Sequence, residues 1–141
     1  MGKDLEFFFP EVAEAQETEV EIVVSERFKD SEGNIIPWKI SLLSSDEIYD
    51  IKKRSTKTVK RGGQRTVTVD TEAIRDTAIV ESVIYPNLKD VELQEAYGAM
   101  TPLELAKRML EGREYERLGD RILKEQGFID DINTMIDDAK N

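Results

Sequence analysis

The side chains of this chain that could do chemistry are carboxylates, cations and exposed aromatic rings. It has no cysteine and no histidine. Thiol nucleophiles and disulfides are excluded, and with histidine go the commonest general base and the commonest metal ligand. Two acidic doublets, Asp130-Asp131 and Asp137-Asp138, could in principle hold a hard cation. Neighbours on a helix diverge, however, and no loop has calcium-binding spacing, so a solvated helix face is the expected reading. Gly62-Gly63 sits among lysines and arginines but lacks the fixed spacing of a phosphate-binding loop. What stands out is charge. Between Lys52 and Val69 lie seven bases (Lys52, Lys53, Arg54, Lys57, Lys60, Arg61, Arg65) and no acid, in a chain of net charge −10. Lys57, Lys60, Arg61 and Arg65 are therefore candidates for binding a partner of opposite charge, and the alternative is a hairpin that merely stays solvated. A second candidate is the apolar spike Phe7-Phe8-Phe9. Those rings either dock on the chain's own core or anchor a partner. No catalytic, cofactor-binding or metal-binding residue is expected, and the chain reads as a non-enzyme.

The elements that must position these groups can be read from the pattern. A chain of 141 residues, 39% of them apolar, suffices for one modest core. Residues 1–17 read as an arm, and residues 18–141 as a single α+β domain with a basic, mobile hairpin inserted at 52–69. No apolar run reaches membrane-spanning length and no leader pattern opens the chain, so a reducing cytoplasm is expected. Alternation from Glu19 to Lys29 and again at Ile36, Trp38, Ile40 and Leu42, around a turn at Asp30 to Asn34, predicts a β-hairpin with Trp38 in the core. Pro37 is expected on an edge because it cannot donate to a ladder.

Ser44 with Glu47 predicts a capped helix through Ile48, Ile51 and Lys53. Threonines and valines on both sides of Gly62-Gly63 predict the basic hairpin. Asp70 or Thr71 opens a longer helix, carrying Ile74, Ala78, Ile79, Ser82 and Val83, that runs to Tyr85-Pro86. Asp90 caps a short helix stopped at Gly98, and Thr101 caps the next, with Pro102 at its first position and Glu104 reaching back to the cap amide. Its expected apolar face is Leu103, Ala106, Met109 and Leu110, with Met100 and Met109 both as core filler. Glu104 with Arg108 and Glu114 with Arg117 are expected as surface pairs. A helix from Arg113 to Gln126 ends at Gly127, and an acidic helix follows. The class is α+β, with N-terminal hairpins packed against four to five short helices.

The central run Y-P-N-L-x-D-x-E-L-Q-E-x-Y-G-x-M-T-P-x-E-L, followed by M-L-x-x-x-E-Y, resembles the PBSX-type (XkdN-like) phage tail assembly chaperones. The likeness continues upstream through VVSERFKDSEGNIIPWKI and downstream through Gln126-Gly127-Phe128 and the acidic end, so it covers the chain from Val20 onward. Leu93-Gln94-Glu95 with Tyr97-Gly98 is its most specific part. The resemblance implies a non-catalytic chaperone acting between tail tube and tape measure protein, keeping the latter soluble during tube assembly. It implies the cytoplasm of the bacterial host, absence from the mature virion and no cofactor. Two other readings stay open. One is a nucleic-acid-binding protein using Lys57, Lys60, Arg61 and Arg65, although the aromatic rings or reading helix this needs are missing. The other is a structural tail component kept in the virion. Chaperones of several phage families are also made in two lengths by ribosomal slippage. Ala139-Lys140-Asn141 is compatible with a −1 slip at an A-rich heptamer, although an ordinary helix ending is the expected reading.

Overall fold

Residues 4–14 and 17–128 are described in the computed structural model of the chain; the acidic segment after Phe128 and the slip site lie outside them. Alternation at Glu19, Val20, Glu21 and Ile22 builds β1 (Glu19–Ile22), which pairs antiparallel with β2 (Trp38–Ser41) in the register Ile22↔Trp38 to Glu19↔Ser41. The first strand is shorter than its alternation predicts. At Ser25 the chain turns, with the Arg27 amide donating to Ser25 Oγ at 3.1 Å, and the hairpin closes again only at a Lys29↔Ile35 bridge. The tip is held by Asp30, whose carboxylate accepts from the amides of Glu32 and Asn34, while Gly33 takes φ 84°.

α1 (Ser45–Arg54) starts at Ser44 with the reciprocal cap expected of Ser44 and Glu47. β3 (Thr56–Arg61) and β4 (Gln64–Val69) form a separate two-stranded sheet. α2 (Thr71–Ser82) is capped by Asp70, which accepts from the Ala73 amide. It does not run on to the proline. Val83–Tyr85 instead forms β5, which pairs antiparallel with β2 and completes a sheet in the order β1-β2-β5. β2 is thus the central strand, not an edge, and Pro37 lies just before it, where no ladder donor is required.

α3 (Val91–Ala96), α4 (Pro102–Met109) and α5 (Gly112–Glu125) follow. α3 and α5 end alike. At Gly98 and Gly127, both at positive φ, the next amide bonds five residues back, Ala99 to Gln94 and Phe128 to Leu123, each at 2.8 Å. Thr101 caps α4 as expected, but the Glu104 carboxylate accepts from the Met100 amide rather than from that of Thr101. The buried face of α4 is Leu105, Ala106, Met109 and, at its end, Leu110, with Leu103 only partly covered. Met100 is exposed, so it fills no core.

The fold is α+β: one face of the β1-β2-β5 sheet lies against the helices, and Ile22, Trp38, Ile40, Ile74, Ile79, Leu105, Leu118, Ile122 and Phe128 belong to one buried cluster. Gly119 sits in the middle of α5, where glycine alone would weaken a helix, because Arg75 of α2 crosses there. A Cβ at this position would lie 2.4 Å from Arg75 Cδ.

Glu114 is not half of a surface pair. It is buried, and its carboxylate accepts from the Arg27 guanidinium, which also donates to the Met109 carbonyl at 3.0 Å; the Glu111 amide donates to the same carboxylate at 2.9 Å. The hydrogen bond from Arg27 is the largest influence on Glu114 and, against the effect of burial, lowers its pKa from 4.5 to about 2. A carboxyl depressed in the folded state stabilises fully above its unfolded value and stops doing so as protons bind to the folded form. Stability is therefore expected to fall as pH drops from 4.5 toward 2. Urea midpoints for Glu114→Gln should be lower than wild type at neutral pH and flatter across that window. A variant whose acid limb matches wild type would show that Arg27 contributes nothing to Glu114's ionisation.

Candidate interaction surfaces

The acid-free stretch is divided between two elements. Lys52, Lys53 and Arg54 close α1, where cations oppose the negative end of the helix. Arg54 is occupied by Asp50 at 2.9 Å and Glu81 at 3.5 Å, and Lys52 lies 5.9 Å from the centre of the Phe128 ring. The hairpin proper runs from Thr56 to Val69 and carries the other four cations. Gly62 and Gly63, at φ 58° and 83°, form its two-residue turn, whose twist suits the flanking strands. Six residues per strand make an arm roughly 20 Å long. Every one of those residues is exposed except Val69, which packs against the core at the root.

Lys57 bonds Asp70 at 3.3 Å; the Ala73 amide first, and then this lysine, hold the Asp70 carboxyl below its usual value. Lys60, Arg61 and Arg65 have no ion-pair partner among the described residues. Lys60 and Arg65 stand directly opposite each other across the ladder.

The aromatic arm is placed differently from the core-docking alternative. Asp4–Phe8 forms a 3-10 turn, extended by bonds from the amides of Val12 and Ala13 to the Phe9 carbonyl, both at 2.9 Å. Phe7 is 70% exposed, Phe8 79% and Phe9 49%, so none of the three rings is buried in the core. Leu5 and Val12 are exposed beside them in sequence. No hydrogen bond, ion pair or ring contact joins this arm to the basic hairpin among the described residues.

The sequence did not disclose the clefts between the first hairpin and α5. Two of them, of about 440 and 370 Å³, share Val23, Val24 and Arg117, and Leu118 lines the second. Their walls come from segments some ninety residues apart, and among the lining residues Val23 is apolar yet exposed. No group of three or more metal-ligating side chains exists among the described residues.

The described residues thus give a small α+β fold with a cationic hairpin and an exposed aromatic arm. The chain belongs to the family of phage XkdN-like tail assembly chaperone proteins, whose model matches residues 5–140. It is 38% identical over 142 residues to the uncharacterized protein YqbN of Bacillus subtilis (strain 168), covering 98% of this chain and 93% of that protein. It is 35% identical over 142 residues to the phage-like element PBSX protein XkdN of the same strain, covering 98% and 94%. Its fold matches the crystal structure of the protein YqbN with a TM-score of 0.71 at 33% identity, over 89% of this chain and 97% of that one.

Proposed function

We propose that this chaperone binds the tape measure protein in the host cytoplasm and acts without catalysis. It holds the partner's apolar, coiled-coil-prone length in solution while the tail tube forms, and leaves before the particle is complete. The observation that carries this reading is the exposure of Phe7, Phe8 and Phe9 on an arm outside the core. Covering a large apolar side chain is worth about 1.5–3 kcal/mol, enough for several rings to grip a partner's apolar stretch reversibly. The net charge of −10 works in the same direction, because it opposes self-association of copies that display such rings.

Co-expression with the neighbouring tape measure product tests this. The tape measure protein should stay soluble and co-purify with the chain. A Phe7→Ser, Phe8→Ser, Phe9→Ser triple variant should lose most of that recovery at an unchanged melting temperature, since the rings support no core. A tape measure protein equally soluble without the chain, and recovered without it, would defeat the proposal. Finding the chain in purified particles at the stoichiometry of a tail subunit would make it a structural component instead.

A further inference from the structure

The hairpin's hydrogen-bond parity decides which of its backbone groups are free. The Asp70 amide donates to the Ser55 carbonyl at 2.9 Å, and the ladder continues through Thr56↔Val69 to Arg61↔Gln64. Antiparallel pairs alternate between bonded and non-bonded types, so Lys57↔Thr68, Val59↔Thr66 and Arg61↔Gln64 hold the ladder. The pairs between them turn their amides and carbonyls outward. On the β3 side those belong to Thr56, Thr58 and Lys60, and on the β4 side to Arg65, Val67 and Val69. Neither strand has another strand beside it among the described residues.

Two features make this hairpin incomplete by itself. Lys60 faces Arg65 at a non-bonded pair, where side chains come closest, and like charges so placed destabilise a ladder. A two-stranded ribbon with both faces in water is also marginal, whereas a third strand makes a sheet. The edges differ in charge. β3 carries Lys57, Lys60 and Arg61, while β4 carries Arg65 alone and is otherwise threonine, valine and glutamine.

We infer that the outer edge of β3 is the docking edge for an extended, acidic segment of a partner protein, which adds as a third strand and sets its carboxylates against Lys60 and Arg61. The backbone of Thr56, Thr58 and Lys60 supplies the ladder, and the cations supply selectivity for acid. A carboxylate beside Lys60 also relieves its repulsion from Arg65. This rests on the proposed function only in taking the partner to be a protein. A nucleic acid would use the same cations but would gain nothing from an open strand edge, and the hairpin offers no ring for base stacking.

Lys60 and Arg61 project from opposite faces of the strand, so the probe is a fluorescein-labelled synthetic peptide of Glu-Glu-Val repeats, which presents carboxylates on both faces, titrated into the full chain by anisotropy. Oligothymidylate and a lysine–valine peptide are run alongside. The acidic peptide should bind, weaken as salt rises, and lose roughly tenfold or more in affinity with Lys60→Glu plus Arg61→Glu. Thr58→Pro removes one outward-facing donor from the β3 edge without touching a ladder bond and should weaken binding severalfold, while Val67→Pro, its counterpart on β4, should not. In the wild-type chain, bound peptide should slow hydrogen exchange at the amides of Thr56, Thr58 and Lys60, and this readout stands even if a proline variant disturbs the hairpin. Equal sensitivity to the two prolines, protection confined to β4, or tighter binding of oligothymidylate than of the peptide at the same salt would each overturn the inference. If Lys60→Glu plus Arg61→Glu leaves the tape measure complex intact and no peptide binds, this edge is wrong and the chaperone reading survives. Edge-specific peptide binding with no tape measure complex would instead uphold the edge and defeat the chaperone reading.

Discussion

Trp38→Ala is expected to cost about 3–5 kcal/mol of folding stability, the loss typical of truncating a large aromatic in a core. Trp38 is 2% exposed and occupies the first position of the central strand, opposite Ile22. Its ring lies 6.2 Å from that of Phe28, tilted at 45°, so the indole ties the loop beyond the strand to the sheet. Removing it leaves a cavity beneath the hairpin and exposes Phe28, and neither Ile40 nor Ile22 can shift far enough to fill it without breaking register. Trp38 is the single tryptophan, so the variant has no tryptophan fluorescence to follow and circular dichroism in urea is the appropriate probe. A loss below about 1 kcal/mol would mean that the faces of the hairpin are assigned backwards.

Where the sequence spoke through neighbouring residues, it could be read. Ser44, Asp70, Asp90 and Thr101 each cap the helix that follows, since a side-chain oxygen and an amide three residues on are enough to define a start. Gly62-Gly63, Gly98 and Gly127 mark turns and stops for the same local reason: each needs a backbone conformation that other residues avoid. Basic charge between Lys52 and Val69 was visible as composition, and the pattern carried the helix through Lys53, but the boundary with the hairpin was blurred because the helix ends without a proline or glycine.

Contacts between distant segments could not be read. Val83–Tyr85 carries the apolar character of the helix it follows, and it becomes a strand only because the β2 edge is open beside it. Glu114 has a cation at helical spacing in Arg117, so a local pair was the natural expectation; its actual partner, Arg27, is 87 residues away. The two binding candidates followed the same division. Residue types named Phe7, Phe8, Phe9, Lys57, Lys60, Arg61 and Arg65, but only the folded chain could show that the rings stand clear of the core and that Lys60 faces Arg65.

Gln126→Ala should be nearly as damaging as the loss of Trp38, although it removes a polar side chain. Gln126 is buried at the end of α5, and its amide makes three bonds at once. Oε1 accepts from the Leu43 amide at 2.9 Å, while Nε2 donates to the Ser41 carbonyl at 2.8 Å and to Ser82 Oγ at 3.0 Å. The orientation is fixed by its partners, since a backbone amide can only donate and a carbonyl can only accept. One side chain thereby joins the end of β2, the last residue of α2 and the C-terminus of α5. Ser82 is wholly buried, so its hydroxyl has no water to turn to when the amide is gone. Leaving such groups unpaired costs on the order of 1–3 kcal/mol each, and a net loss of roughly 3 kcal/mol is expected because Leu43 and Ser41 are partly reachable by solvent. Gln126→Glu separates hydrogen bonding from packing. It keeps the shape and the acceptor for Leu43 but sets a carboxylate against the Ser41 carbonyl. Its destabilisation should therefore be large at neutral pH and shrink in acid, relative to wild type at the same pH, as the carboxyl takes up a proton and can donate again. Equal stability of Gln126→Glu and wild type at neutral pH would show that the Nε2 bonds do not hold the three elements together.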